Sequence, residues 1–586
     1  MKNITSKLLV VLALILVAGA CDDMLELSPQ DEISDDAVWQ DPALVELFLS
    51  DVYRSMHHTL GGSKLATLVD DAQFVHDQGT FLWTMGNGGP SNMGRWGGGD
   101  FATFSWDPLY AGIRNANIIL ENIETADISD ELKQHVQGET HFLRAFFYHN
   151  LLRAYGGVPL ILEPQTVGEE LQVPRNTFEE VVNFVVEEAD RAEALLPLEP
   201  RELGRANQGA ALAIKCRILT HAASDLYADP VSELTGYASG SQQDRWTEAR
   251  NACQEVMALG YELYDQDEDP VRNYQNIFLT NGRHEETIMN RYFVGSRDWH
   301  DTFLPNLVNG PNGYSAWGGN TPLQSMVDAY EMADGTPFDW NNPEHAADPF
   351  GVVSGEQVRD PRFYASILYD GAPFVDPPGA RQPYDQTGHV QTALDINTPD
   401  GTVAGVDTRQ GPIEDWNGSY TGYYMRKFID DTIPVQTRPE HPWPVFRYTE
   451  MLMNYAEAQI ELGDEVEARR VLNMIRERAD MPPITESGEA LVERYRNERR
   501  VELFLEDSRF FDVRRWEIAP EVYHDAEGIL IEVDAADQQD RSTYSNYSYD
   551  PTRHVQNRSW NESFYFFPID QDEMNRNQAL VQNPGY

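Results

Sequence analysis

Two segments of this 586-residue chain combine large aromatic side chains with glycine and hydrogen-bonding groups, residues 81–100 and 291–320. Glycine offers little side chain for a tryptophan to pack against, so exposed rings are expected there, and large exposed apolar groups tend to mark binding sites. An aromatic ring presents a flat apolar face that can stack on a sugar ring, while neighbouring polar groups can bond to its hydroxyls. The candidate ligand-binding residues are Trp83, Arg95, Trp96, Tyr292, Trp299, Tyr314, Trp317 and Asn320.

The alternative for each of these tryptophans is that it packs its own loop onto the core. Trp416 and Tyr420, which flank the turn-forming pair Asn417-Gly418, are secondary candidates of the same chemical type. The sequence therefore predicts a stacking site but leaves open which rings form it.

Motifs of catalysis and of metal or phosphate binding are missing. The chain contains no HExxH, CxxC, GxxxxGK[ST] or GxSxG pattern. Asp265, Asp267 and Asp269 imitate the start of a calcium-binding EF-hand loop, but Pro270 replaces the required glycine and Asn276 the closing glutamate. Carboxylates are so numerous that spacing selects no pair for glycoside hydrolysis. We therefore predict a binding protein rather than an enzyme, with no cofactor or metal site; adventitious calcium at another acidic loop stays open.

The charge balance excludes one class of partner. Formal net charge is −51, from 95 acidic and 44 basic residues. Nucleic acid binding requires cationic groups that neutralise phosphates, so nucleic acid is not expected as a partner. A surface this acidic is typical of adaptation to saline water, in which charge repulsion is screened over a few Å.

The N-terminus resembles that of an exported bacterial lipoprotein. Lys2 and Lys7 precede an apolar run at 8–17 that is too short to span a bilayer, and small residues lead into Cys21. We predict a signal peptide over residues 1–20 and a lipid anchor on Cys21, because several acyl chains on one residue suffice for stable anchoring. The alternative is an ordinary signal peptide followed by an incidental cysteine.

Apolar residues at helical spacing predict the elements that would position the loops. Helices are expected at residues 110–123, 139–155, 178–196, 209–227, 447–462, 465–478 and 491–505. Small residues at Ala456, Gly463 and Ala468 predict a tetratricopeptide-like pair of antiparallel helices, and 139–155 with 178–196 and 209–227 with 246–257 are further candidate pairs. Cys216 and Cys253 lie in such helical sequence beside apolar neighbours, so we expect buried free thiols rather than a disulfide.

Several segments, in order along the chain, resemble the SusD/RagB family of outer-membrane nutrient-binding lipoproteins. They read WDPLYAGIRNAN at 106–117, ETHFLRAFFY at 139–148, LRAYGGVPL at 152–160, RNERRVELFLE at 496–506, RFFDVRRW at 509–516 and QNPGY at 582–586. The charged residues of 496–509 lie mostly three or four apart, which is typical of a structural salt-bridge lattice. Gly156, Gly157 and Pro159 end a helix and turn the chain. We therefore assign these motifs to the structural scaffold and not to ligand binding.

The resemblance implies a mainly α fold, in which a tetratricopeptide-like scaffold of helix pairs supports an irregular, loop-rich ligand-binding half. Residues 21–586 would form one SusD-like domain, with the scaffold mainly at 40–260 and 445–516 and the ligand-binding region mainly at 267–444 plus the loop 77–106.

The resemblance also implies a function and a partner. A surface-exposed lipoprotein of the outer membrane would capture an oligosaccharide or polysaccharide and deliver it to a TonB-dependent SusC-like transporter. Asp22 and Asp23, directly after Cys21, resemble the acidic tag that directs such lipoproteins to the outer face. The alternatives are peptide binding, as in the RagB branch, and a surface-anchored glycoside hydrolase.

Overall fold

The computed structural model describes residues 35–60, 62, 64–77, 79–95, 104–165, 172–293, 305–437 and 440–586. The fold is mainly α, as the resemblance implied. The helices are α1 Asp35–Val38, α2 Pro42–Arg54, α3 Thr80–Thr84, α4 Trp106–Asn122, α5 Asp130–Tyr155, α6 Phe178–Leu195, α7 Gln208–Ala223, α8 Gln242–Met257, α9 Pro270–Leu279, α10 Pro305–Asn309, α11 Gln324–Ala329, α12 Pro343–Ala347, α13 Pro361–Ser366, α14 Tyr448–Glu461, α15 Glu465–Arg478, α16 Glu489–Glu502, α17 Arg509–Arg515, α18 Ala519–Val522 and α19 Gln571–Arg576.

The strands are short, apart from two near the C-terminus. They are β1 Ala72–Phe74, β2 Thr287–Arg291, β3 Asn320–Pro322, β4 Ile367–Leu368, β5 Asp395–Thr398, β6 Gly401–Val403, β7 Tyr424–Met425, β8 Trp443–Arg447, β9 Ala526–Ala535 and β10 Tyr544–Gln556. A four-stranded sheet has the order β10-β9-β5-β6, in which only the β9–β5 pair is parallel. Three antiparallel pairs, β1–β3, β2–β8 and β4–β7, complete the described strands.

The predicted pairing of residues 139–155 with 178–196 is confirmed, and these residues lie in α5 and α6. At one end of α5, Gln134 donates a hydrogen bond to the Leu195 carbonyl at the far end of α6, 3.1 Å away. Farther along, Arg144 donates to Glu188 at 2.7 Å. As the contacting residue advances along α5 from 134 to 144, its partner on α6 moves back from 195 to 188, so the two helices are antiparallel. Thr177 and Glu180 form a capping box that begins α6.

The next pair, α7 and α8, corrects one expectation. Cys216 and Cys253 are joined by a disulfide, with their Cα atoms 4.8 Å apart, and are not free thiols. Lys215, just before Cys216, lies 3.4 Å from Glu255, just after Cys253, so α7 and α8 run antiparallel. The sequence places the cysteines on neighbouring helices, but helix rotation decides whether their Cβ atoms face each other. Disulfides are typical of proteins that fold in oxidising compartments outside the cytosol.

Removing this disulfide should be costly. The cysteines are 37 residues apart, and closing a loop of that length typically stabilises a protein by about 2–4 kcal/mol. We expect the double variant Cys216→Ala, Cys253→Ala to lower the free energy of unfolding by that amount, measured by urea denaturation. A reductant should lower the midpoint of the wild type and leave that of the double variant unchanged. Peptide mapping that found both thiols free in the oxidised wild type would contradict the assignment.

The tetratricopeptide-like unit predicted from Ala456, Gly463 and Ala468 is also confirmed. Ala456 on α14 and Ala468 on α15 are both fully buried where the two helices pack. Gly463 adopts a left-handed conformation with φ of +82° between them, and the side chain of Asp464 caps α15 by accepting from the Glu467 backbone N–H. Small residues allow this close approach, and the left-handed turn reverses the chain.

Two hydrophobic clusters divide most of the core. One lies among α2, α4–α8 and α14–α17, and the other lies under the segments from α9 to β7 together with β9. Among the described residues, the helices longer than ten residues lie within 42–257 and 448–502, while 267–444 holds shorter helices and short strands. The division into a scaffold and a ligand-binding region stays a prediction. The β2–β8 pair connects the two regions, since β8 continues directly into α14. In the part of the chain that the structure describes, no helix is long and apolar enough to cross a membrane.

The predicted salt-bridge lattice exists, but its pairs mostly do not run along one helix. Helix α16 ends at Glu502, so Glu506 and Arg509 lie beyond it. Glu502 is fully buried and accepts from guanidinium groups of other elements, at 3.0 Å from Arg362 and 2.9 Å from Arg447. Through Arg362 on α13, Arg447 on β8 and Arg478 on α15, the lattice ties α16 to other elements rather than stabilising α16 alone.

Candidate functional site

An exposed aromatic surface forms where three loops meet. Trp416 is 68% exposed, and its ring stacks on that of His76 with centroids 6.0 Å apart and planes inclined by 25°. Nε2 of His76 in turn donates to the carbonyl oxygen of Trp317, 2.9 Å away, and Trp317 is itself 36% exposed. We call Trp317, His76 and Trp416 the aromatic platform.

Glycine at position 318 permits the two tryptophan loops to touch. Gly318 has φ of +71°, and a Cβ at this position would lie 2.2 Å from the carbonyl oxygen of Asn417. A side chain there is excluded by both the conformation and the contact. On its other side, the Trp317 N–H donates to the Leu307 carbonyl at 2.7 Å, which fixes the loop against α10. Trp317 and Trp416 thus lie on adjoining turns whose backbones are in contact.

Polar groups flank the platform. Arg409 lies over the ring of Tyr420, 4.3 Å from its centroid, and donates to the carbonyl oxygens of Trp416 and Gly418 at 3.1 Å each. Glu414 accepts from the Asn417 backbone N–H at 3.2 Å. Flat apolar faces beside donors and acceptors are suited to a ligand with an apolar face and a polar edge, as a sugar ring has.

The structure places three predicted site residues in the core instead. Trp83 is 3% exposed and packs on Phe564 and Phe567, with ring centroids 5.1 and 5.4 Å away. Tyr314 is buried beneath the Arg381 guanidinium, 4.0 Å from its ring centroid. Asn320 is buried on β3, where it accepts from the backbone N–H of residue 64 at 2.8 Å.

These three assignments to a binding surface are therefore corrected: Trp83 and Tyr314 pack in the core, and Asn320 holds a buried hydrogen bond. The partners of Trp83 lie some 480 residues further along the chain, so local glycine content did not reveal its burial. The glycine at position 88 leaves room for the buried Trp83 ring, because a Cβ there would lie 2.3 Å from the Trp83 indole.

The remaining predicted residues divide into two groups. Tyr292 is half-buried and lines a separate cavity of about 320 Å³ rather than the platform. Trp96, Trp299, Cys21 and the side chain of Arg95 lie outside the described residues, so their predicted roles stay predictions.

Two residues of the site, His76 and Arg409, were not predicted from the sequence. His76 belongs to no recognisable motif, and its tertiary contacts with Trp416 and the Trp317 carbonyl bring it into the site. Arg409 likewise reaches the site through the fold of its loop. Trp416 and Tyr420 were only secondary candidates, although the Asn417-Gly418 turn beside them was the local signal that could have ranked them higher.

The aspartate cluster at 265–269 serves as a helix cap. Asp269 accepts from the backbone N–H of Val271 at 3.0 Å to begin α9, and Asp267 accepts from the Asp269 N–H at 3.1 Å. Among the residues that the structure describes, no group of three or more His, Cys, Asp or Glu side chains is arranged to hold a metal ion.

Comparison with known families agrees with this architecture. The model of the SusD family matches residues 285–586, just over half of the chain. The chain belongs to the SusD family. A second model, described as starch-binding and associating with the outer membrane, matches residues 23–219.

Individual SusD-family relatives are similar over almost the whole length. The SusD-like protein P38 of Formosa agariphila is 24% identical over 551 residues, which cover 90% of this chain and 94% of the relative. A SusD-like protein of Bacteroides fragilis has a solved structure with a TM-score of 0.74 at 30% identity, covering 95% of this chain and all of that one. A SusD-like carbohydrate binding protein of the same species has a TM-score of 0.70 at 24% identity, covering 93% of this chain and all of its own.

Proposed function

We propose that this SusD-family protein binds an oligosaccharide or polysaccharide on the aromatic platform. The observation that carries the proposal is the exposure of Trp416, which is 68% accessible although its ring is held in place by His76. An exposed indole exposes apolar area to water, and a ring that is already immobilised loses little conformational entropy when a ligand covers it. Carbohydrate binding by the structurally similar B. fragilis protein supports the same chemistry.

We infer further that the protein is held at the outer membrane by lipid on Cys21 and delivers its ligand to a SusC-like TonB-dependent transporter. The disulfide between α7 and α8 supports export, because such bonds are rare in the cytosol. The description of the matching N-terminal family model supports association with the outer membrane. The signal-peptide pattern that precedes Cys21 supports the anchor.

The binding proposal is tested with affinity gel electrophoresis against a panel of polysaccharides. Each of Trp416→Ala and Trp317→Ala should raise the dissociation constant for a retained polysaccharide by about tenfold to a hundredfold, since covering an aromatic ring is worth about 1.5–3 kcal/mol. Leu47→Ala removes an apolar side chain of similar exposure to Trp416, 64%, from α2 and should leave retention unchanged. If both tryptophan variants are retained as strongly as the wild type, the platform is not the site.

Two further readouts distinguish the other activities. Reducing ends released from the retained polysaccharide by the purified protein would favour a surface-anchored hydrolase. Retention that a mixture of peptides abolishes, while oligosaccharides do not, would favour peptide capture.

A further inference from the structure

The cavity lined by Tyr292 lies apart from the platform, and no platform residue contributes to its wall. It is enclosed by α2, the C-terminal half of α5, α7, the β2–β8 pair and the segment around α17. Its volume of about 320 Å³ is at the lower end of the range for small-molecule sites. Side chains of Tyr292, Trp443 and Phe511 form part of the wall, so a ligand the size of one sugar would meet aromatic groups there.

Most arginines of the cavity wall already have carboxylate partners. The pairs are Arg205 with Glu139, Arg217 with Glu450, Arg447 with Glu506, Arg499 with Asp512, and Arg515 with Glu457. These guanidinium groups are neutralised within the protein and stabilise its fold.

Arg153, near the end of α5, is different. Its guanidinium lies 3.9 Å from the centroid of the Phe511 ring and donates to Oδ1 of Asn150 at 2.7 Å. Its Nε is buried without a hydrogen-bond partner, and no carboxylate of the described residues forms an ion pair with it. The wall of the cavity thus contains a cation whose capacity to donate is partly unused.

The two carboxylates whose charges act on Arg153, those of Glu450 and Asp507, are committed elsewhere. Both oxygens of Glu450 accept from Arg217 at 2.6 Å. The oxygens of Asp507 accept from the Thr59 hydroxyl at 2.5 Å and the Leu65 N–H at 3.1 Å. Burial, and then the neighbouring Arg217, lower the pKa of Arg153 to about 9, so the group is still charged at neutral pH. A half-buried cation that lacks a directly paired carboxylate is unfavourable for folding, and an anionic ligand would relieve that cost.

We propose that this cavity binds one acidic monosaccharide unit, whose carboxylate or sulfate pairs with the guanidinium of Arg153. The planar fork of a guanidinium fits either oxyanion in bidentate geometry, and the aromatic wall packs against the sugar ring. This site is independent of polymer binding on the platform.

Isothermal titration calorimetry on the purified full-length protein tests the ligand class. The probes are sodium glucuronate, glucose 6-sulfate, neutral glucose and sodium sulfate. At least one acidic sugar should bind ten times more tightly than glucose, because a hydrogen-bonded charge pair is made only with the acid. The one that binds more tightly identifies carboxylate or sulfate as the source of the charge. Absence of binding by both acidic sugars would overturn the proposal, as would sodium sulfate that binds as tightly as they do.

Variants then test the residue. Arg153→Gln should weaken binding of the acidic sugar tenfold or more without lowering the thermal midpoint, since it removes an uncompensated charge. Arg153→Lys keeps the charge without the fork and should bind with intermediate affinity, which provides a second test if the glutamine variant folds poorly. Arg250→Gln is the matched control, because Arg250 on α8 also lacks an ion pair among the described residues and lies outside the cavity wall.

Unchanged affinity in both Arg153 variants would overturn the assignment. Trp416→Ala should leave binding of the monosaccharide unchanged while polymer retention falls. Failure of the cavity proposal is therefore distinguishable from failure of the platform proposal.

Discussion

Glu502→Gln is expected to lower the free energy of unfolding by about 3–5 kcal/mol, the range found when one partner of a buried ion pair is removed. Glu502 is fully buried and accepts from Arg362 at 3.0 Å, Arg447 at 2.9 Å and Arg478 at 2.5 Å. The glutamine amide would point donor hydrogens at groups that are themselves donors. Urea denaturation followed by circular dichroism measures the loss.

The electrostatics of this cluster explain why the effect is large. Burial alone would raise the pKa of Glu502, but Arg478, Arg447 and Arg362 together outweigh burial and hold that pKa well below its ordinary value. The carboxylate is therefore ionised at neutral pH. Removing its charge leaves neighbouring guanidinium groups buried with one counter-charge fewer.

Glu493→Gln on the same helix is the matched control. Glu493 is 77% exposed on its side chain, and its charged partner Arg496 is 3.8 Å away. Exposed pairs of this kind contribute about 0–1 kcal/mol, so this variant should unfold almost as the wild type does. Equal losses in the two variants would contradict the view that buried cross-element pairing, rather than charge on α16 itself, stabilises the junction.

The second large effect is expected for Gly156→Ala, at the end of α5. Gly156 has φ of +77° and ψ of −145°, a backbone conformation that is essentially restricted to glycine. A Cβ there would lie 2.3 Å from the carbonyl oxygen of Leu234, which also accepts the Gly157 N–H at 2.7 Å. Strain and overlap each cost about 1–3 kcal/mol, so we expect a loss of about 3 kcal/mol or more in the free energy of unfolding.

Gly260→Ala separates the two contributions. Gly260 also has positive φ, at +86°, but a Cβ at this position would meet no atom within 4 Å. That variant should lose only about 1 kcal/mol, the cost of the left-handed conformation. If both alanine variants lose the same amount, the contact with Leu234 contributes nothing and the expected difference is wrong.

The helices of the scaffold were predictable because their determinants are local. Residues 139–155 and 178–196 carry apolar side chains at a spacing that repeats within four residues, and the observed helices α5 and α6 include or nearly match them. The unit around Gly463 and Asp464 was also predictable, since a left-handed glycine and an N-cap act on their immediate neighbours.

The exposure of the tryptophans in the loops was not predictable in the same way. Trp83 and Trp317 both occur in glycine-rich sequence, yet the first is buried against Phe564 and the second is exposed beside His76. Composition cannot separate the two cases, because exposure depends on which distant segment covers the ring. The same holds for Trp416, whose stacking partner lies 340 positions earlier in the chain.

By itself, the sequence of this protein determined the helix pairs, their turns and the family resemblance, all of which depend on patterns that span a few neighbouring residues. The tertiary structure alone decided that Cys216 and Cys253 join, that Glu502 pairs across three other elements, and that Trp416 stands exposed while Tyr314 does not. The physical reason is that these outcomes depend on the rotation and approach of segments far apart in the chain. Backbone hydrogen bonding and local amphipathicity leave both of these undetermined.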